Sequence, residues 1–206
     1  MRWSGCCLGL VLGLACHCSI RSGSGIAVVE IPYPAELQVV RRADWGWQPL
    51  RASTAGHRVT RVTIHHSGED FTPDREPAQY LRSLQNWSRS EKHWIDVPYH
   101  FFIDLEGRIY EGRPINYPGD TNTDYDPRGH GLICVLGNYE HQELTEAQFH
   151  ALVALTAHLV RIYEVPLANI KGHRDYTDQT VCPGKNLYRH LEDGNLLRAV
   201  EDQLKR

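Results

Sequence analysis

Residues 99–111 read Tyr-His-Phe-Phe-Ile-Asp-Leu-Glu-Gly-Arg-Ile-Tyr-Glu, and this stretch decides the architecture. An apolar run (Phe101, Phe102, Ile103) leads into a polar turn at residues 104–107, then into a second run through Ile109 and Tyr110. Two short β-prone runs around a glycine-bearing turn predict a hairpin. Working outward, residues 58–66 (RVTRVTIHH) are β-branched and bounded by Gly56 and Ser67-Gly68, so they predict a strand. Residues 77–89 place Tyr80, Leu81, Leu84 and Trp87 at helical spacing, and residues 131–136 (GLICVL) predict a short buried strand. The clearest helix follows. Thr145 and Gln148 have capping-box spacing, Leu144 and Phe149 can form the hydrophobic staple, and Phe149, Leu152, Val153, Thr156, Leu159, Val160 and Tyr163 share a face up to Pro166. A last helical segment spans about 196–204. Strands interleaved with helices predict an α/β fold, a mixed sheet flanked by helices.

The chain has 206 residues, 41% apolar and 23% charged, and its 22 basic against 25 acidic side chains give a net charge of −3. That suits one domain with an N-terminal extension. The balance lacks the basic excess of a general nucleic-acid binder, so nucleic acid is excluded as the expected partner. The extension begins with a charge-free apolar stretch at residues 6–16, too short to span a bilayer and of the length of a signal-peptide core. Residues 1–18 are therefore expected to be an export signal. A lipoprotein variant would be acylated at Cys16, which follows Leu14-Ala15, although Gly13 fits that pattern poorly. Residues 19–36, rich in Ser, Gly and Pro, predict a linker, and the domain is expected over 37–206.

Chemistry-bearing residues collect in three places. His65 and His66 end the predicted strand, where alternation sends neighbouring side chains to opposite faces and lets at most one enter a given site. Taken alone, such a His is more often a hydrogen-bonded core residue. His173 and Cys182 sit nine residues apart on a Pro/Gly-rich loop and could converge on one ion, though the interval is not that of a zinc finger. Tyr99 heads the hairpin, where a Tyr is usually core. Two other patterns fail on inspection. His173-Arg174-Asp175 lacks the Asn of a kinase catalytic loop, with Thr180 in its place. Asp120-Thr-Asn122-Thr-Asp124 begins like a calcium loop but has Tyr125 at the glycine position, so a solvated acidic loop is the simpler reading.

Together, and in this order, IHHS at 64–67, WIDVPYHFFIDLEGRIYEGR at 94–113, GLICVLGNYE at 131–140 and GHRDYTDQTVCPG at 172–184 resemble the zinc-dependent N-acetylmuramoyl-L-alanine amidases. This is the amidase type 2 family, which includes peptidoglycan recognition proteins. The resemblance runs from about Leu37 to Leu204. It implies a central mixed sheet flanked by helices, with a zinc-bearing groove on one side. It also implies His65, His173 and Cys182 as ligands of one zinc ion per chain, with Tyr99 and Thr180 as catalytic groups. The implied activity is hydrolysis of the amide between N-acetylmuramic acid and L-alanine by a monomer acting on peptidoglycan or muropeptides. Arg174 or Asp175 would brace the His173 loop.

Some features depart from the family pattern. The Cys pair that animal members carry after the His-His motif is missing, since residues 67–87 hold no Cys, and Cys134 is expected to be a reduced core residue. Residues 116–130 are longer and more acidic than the usual connection. The longer loop bears on groove specificity, while the missing Cys pair and the short leader point to an exported bacterial protein of the cell envelope or periplasm, or a secreted one, with a lipid anchor to the membrane in the lipoprotein variant. A non-catalytic peptidoglycan-binding module is the alternative, opposed by retention of Cys182. A cysteine peptidase using Cys182 and His173 would leave His65 without a role.

Overall fold

The computed structural model describes residues 19–23 and 26–206. The expected leader and Cys16 lie outside the described residues. In chain order the elements are β1 (Ser19–Gly23), β2 (Ile26–Glu30), β3 (Val39–Val40), β4 (Arg61–His66), α1 (Pro77–Ser90), β5 (Phe101–Ile103), β6 (Ile109–Glu111), β7 (His130–Val135), α2 (Glu146–Tyr163), β8 (Ile170–Gly172), α3 (Lys185–Glu192) and α4 (Asn195–Leu204). The hairpin at 99–111 forms as expected, with Phe102 opposite Tyr110. It sits inside a six-stranded sheet of order β3-β6-β5-β7-β4-β8. The β5–β6 junction is antiparallel and the other four are parallel.

Parallel strands need cover on both faces, and alternation supplies two apolar surfaces here. Val62, Ile64, Phe101, Ile103, Ile133 and Val135 join one buried cluster with Leu152, Leu155 and Leu159 of α2 and with Leu196 and Val200 of α4. Phe102, Tyr110, Cys134 and Leu136 join the other, with Trp45, Phe71 and, from α1, Leu81. Cys134 is free and fully buried, as expected. Helix α2 begins at the predicted capping box. Thr145 Oγ1 accepts from the Gln148 N–H at 3.0 Å and Gln148 Oε1 accepts from the Thr145 N–H at 3.2 Å. Among the described residues no helix is long and apolar enough to cross a membrane.

The linker expected over 19–36 differs from what is found. Strands β1 and β2 pair antiparallel, Ile31 is buried in the core, and Tyr33 packs beside it. The cause lies in β6. Glu111 is only 1% exposed, and its carboxylate accepts from Tyr33 Oη at 2.9 Å, Arg41 Nη1 at 3.0 Å and the Arg42 N–H at 3.1 Å. A buried carboxylate must be paired, and the N-terminal segment provides the partners.

Asp96 plays a similar part before the hairpin. Fully buried, it accepts from Gln85 Nε2 of α1 at 2.6 Å, Trp47 Nε1 at 2.8 Å and the Val97 N–H at 2.9 Å. These bonds tie α1 to the segment that ends at Tyr99. On the far side, Gly112 abuts the Tyr99 backbone. A Cβ there would come within 2.4 Å of the Tyr99 carbonyl oxygen and 2.7 Å of Phe102 Cε2. Gly112→Ala is therefore expected to cost about 1–3 kcal/mol through overpacking, read from the urea midpoint against the native protein. An unchanged midpoint would show that the backbone at Tyr99 yields.

Candidate metal centre

The register of the parallel strands assembles the site. β4 pairs with β8 so that Ile64 lies opposite Gly172, which leaves His65 and His173 adjacent at the carboxyl ends of both strands. Cys182 returns on the following loop, where the Arg174 N–H donates to the Cys182 carbonyl at 2.9 Å. One donor atom from each of His65, His173 and Cys182 lies within 4.8 Å of the other two, and all three residues are buried. The separation of Cys182 Sγ from His65 Nδ1 is 3.6 Å. Zinc–nitrogen and zinc–sulfur bonds of roughly 2.0 and 2.3 Å at the tetrahedral angle put their donors about 3.5 Å apart. The cluster therefore fits a tetrahedral ion.

Electrostatics agree. Burial, then the neighbouring imidazoles, pushes His65 well below its usual pKa, and burial lowers His173 to about 4. Both rings are neutral at pH 7 and offer a lone pair. Burial raises the metal-free Cys182 thiol to about 12, so an ion must displace its proton to gain the thiolate. The His66 N–H, 3.4 Å from Cys182 Sγ, is placed to support that charge.

The groove beside the cluster has a volume of about 730 Å³. Tyr80, Leu84 and Trp87 of α1 line it, with Trp94 and Tyr99. Tyr99 is half-buried, its ring 4.9 Å from that of His65, and burial keeps its hydroxyl protonated well above the usual range. Thr180 also lines the groove, and its Oγ1 accepts from the Cys182 N–H at 3.0 Å, leaving the hydroxyl hydrogen free to be donated. All five site residues expected from the sequence thus border one space. Arg174 and Asp175 brace the loop rather than the His173 ring. Asp175 Oδ2 accepts from the Gly172 N–H at 2.8 Å, and Tyr188 Oη donates to Asp175 Oδ1 at 2.6 Å.

Two expectations change. Only His65 of the pair joins the donor cluster, but both imidazoles border the groove. His66 is the last residue of β4, and its Nδ1 accepts from the Tyr139 N–H at 3.2 Å, which holds the ring at the groove edge. The acidic loop is the second. It folds over the site instead of standing in solvent. Asp120 pairs with the buried Arg113, and Thr121 and Thr123 line the groove, with Thr123 Oγ1 2.8 Å from His173 Nε2. Sequence reasoning missed Thr123, because contact between residues fifty apart leaves no local spacing signal.

The chain resembles known proteins. Residues 55–185 match the family model described as N-acetylmuramoyl-L-alanine amidase. The chain is 32% identical over 192 residues to peptidoglycan recognition protein 1 of Mus musculus, covering 91% of this chain and 94% of that protein. Among solved structures it is similar to the complex of tracheal cytotoxin with the ectodomains of peptidoglycan recognition proteins LCa and LCx (TM-score 0.67, 25% identity, 75% of this chain and 94% of that one). It shares its fold with the amidase LysC from Clostridium intestinale URNW (TM-score 0.63, 23% identity, 77% and 96%). The fold and the donor cluster define an α/β protein with a candidate metal centre at the carboxyl ends of its parallel strands. The chain belongs to the amidase type 2 family, which also holds the peptidoglycan recognition proteins.

The buried imidazoles predict a pH dependence. Burial lowers His66, His130 and His173 to about 4 and His100 to about 3 in the folded state, against roughly 6.5 unfolded. Below pH ~6.5 the unfolded chain binds more protons, so stability falls as pH drops from about 6.5 toward 4 and is fully present above it. Thermal melts of the metal-free protein should show Tm declining across that window. A flat profile between pH 7 and pH 4 would contradict the neutral assignment.

Proposed function

We propose that the chain is a zinc-dependent N-acetylmuramoyl-L-alanine amidase that cleaves the amide between N-acetylmuramic acid and L-alanine in peptidoglycan or muropeptides. The observation that carries this reading is the convergence of His65, His173 and Cys182 on one point at the floor of the groove. Two imidazoles and a thiolate form a zinc donor set, and three protein ligands are the count of a catalytic site rather than a structural one. Zinc bound there would supply Lewis acidity toward the scissile carbonyl and acidify a water molecule.

The chain's own groups do the rest. Tyr99 keeps its proton at neutral pH and can donate it to the oxygen on which negative charge develops. Thr180 can donate to the same oxygen, since its acceptor side is already engaged by the Cys182 N–H. The groove can take a peptide arm beside a sugar, and its Trp87 and Trp94 rings, 6.0 Å apart and edge-on, offer apolar surface. A purely recognising protein would need the groove but not this donor set. On this reading residues 1–18 export the protein, with Cys16 as the anchor point in the lipoprotein variant, and the mature chain acts as a monomer.

Digestion of purified peptidoglycan, with the new ends identified by mass spectrometry, tests the reaction. Free L-alanine amino termini that disappear with a chelator are expected. Binding without cleavage would make the chain a recognition module.

The residue roles separate by substitution. His65→Ala, His173→Ala and Cys182→Ser should lose zinc and turnover together. His66→Ala should keep zinc while losing about 1–3 kcal/mol of stability, because its bond to the Tyr139 N–H is buried. Tyr99→Phe should keep zinc but lower kcat by roughly 10²–10³-fold, the usual effect of removing one oxyanion donor. Elemental analysis and kinetics on the purified variants decide each case, and wild-type turnover in Tyr99→Phe would remove Tyr99 from the mechanism.

A further inference from the structure

We propose that Thr123, from the acidic loop, is the positioning residue for the His173 imidazole, holding its Nε2–H so that Nδ1 is the nitrogen presented to the metal. The inference rests on the reading of His65, His173 and Cys182 as a zinc site. Thr123 Oγ1 lies 2.8 Å from His173 Nε2. A neutral imidazole has one N–H and one lone pair, so the partner of one nitrogen sets the role of the other. Thr123 can act as acceptor because its own hydroxyl hydrogen can be given to Thr121 Oγ1, 2.8 Å away. Thr121 Oγ1 also accepts from the Thr123 N–H at 3.1 Å, which closes the turn that presents Thr123.

The loop is clamped onto the segment carrying His173 and Cys182. The Asp124 N–H donates to Gln179 Oε1 at 3.1 Å and Thr177 Oγ1 donates to Asp124 Oδ1 at 2.7 Å. The Tyr125 ring packs 4.8 Å from that of His173. His65 differs, because its Nε2 is buried without a partner and its ring is held by packing between Tyr99 and His173. Among the described residues, Thr123 thus supplies the hydrogen bond that orients a ligand imidazole, from the very loop that departs from the family pattern in length and charge.

The test compares wild type, Thr123→Val and Thr123→Ser as full chains, with zinc affinity measured by competition against a chromophoric chelator and melts recorded for the metal-free forms. Thr123→Val should weaken zinc binding by about 10–100-fold, the usual effect of losing such a partner, with the metal-free Tm unchanged, and Thr123→Ser should restore most of the affinity. Long-range ¹H–¹⁵N spectra of the zinc-loaded wild type give an answer independent of any variant. A proton on His173 Nε2 supports the assignment, and one on Nδ1 overturns it. Tight binding by wild type and Thr123→Val alike would overturn the role of Thr123 while leaving the zinc reading standing. Failure of the wild type to bind zinc would overturn both.

Discussion

The parallel pairing of β4 with β8 is the constraint on which the rest depends. Parallel neighbours share an edge for their carboxyl ends, and the register that sets Ile64 opposite Gly172 makes His65 and His173 the first residues beyond the pair. A slip of one position would send His65 to the face occupied by Ile64, among the leucines of α2. The register is held because both faces of β4 are buried, so any slip would place an imidazole in an apolar core and an isoleucine in the groove. The apolar alternation that stabilises the sheet is therefore also what brings His65 and His173 together.

Much of this was legible from residue patterns. The hairpin at 99–111, the strand ending at His66 and the capped helix after Thr145 each carry a strong local signal, and each formed within a few residues of expectation. Shorter elements were not legible. β3 and β8 have two and three residues, too few for alternation to stand out, and they exist because the neighbouring strand offers unpaired backbone groups. Helix α3 starts at Gly184 without a side-chain cap, so the usual start signal is absent. The strands within 19–36 escaped notice because their composition is that of a linker, while the anchor for the following Tyr33 is Glu111, about eighty residues away.

The site divides in the same way. His65, His173, Cys182, Tyr99 and Thr180 could be named because their motifs sit next to recognisable strands and turns. The loop at 116–130 could not be placed, since nothing in its own residues indicates which surface it covers. Its acidic character is used in two ways. Asp120 neutralises the buried Arg113, whose other nitrogen-bound hydrogens go to the Val97, Asp96 and Pro118 carbonyls. Asp124 serves as a bracket to Thr177. Both carboxylates thus anchor the loop on either side of Thr123, a neutral side chain that faces the imidazole.

That neutrality follows from the electrostatics of the floor. His66 and His173 both border the groove, and burial keeps each uncharged down to about pH 4. His65, deeper still, is lowered further by the neighbouring imidazoles. A carboxylate against His173 would accept the same N–H, as carboxylates do for many ligand imidazoles, but would add a negative charge to the floor. A threonine hydroxyl accepts the same N–H without that charge, so the ring stays neutral and keeps its lone pair. The result is a floor that carries no formal charge near neutral pH until the Cys182 thiol gives up its proton. A divalent cation then meets no positive charge to repel it, and a single thiolate forms only where the ion itself stabilises it.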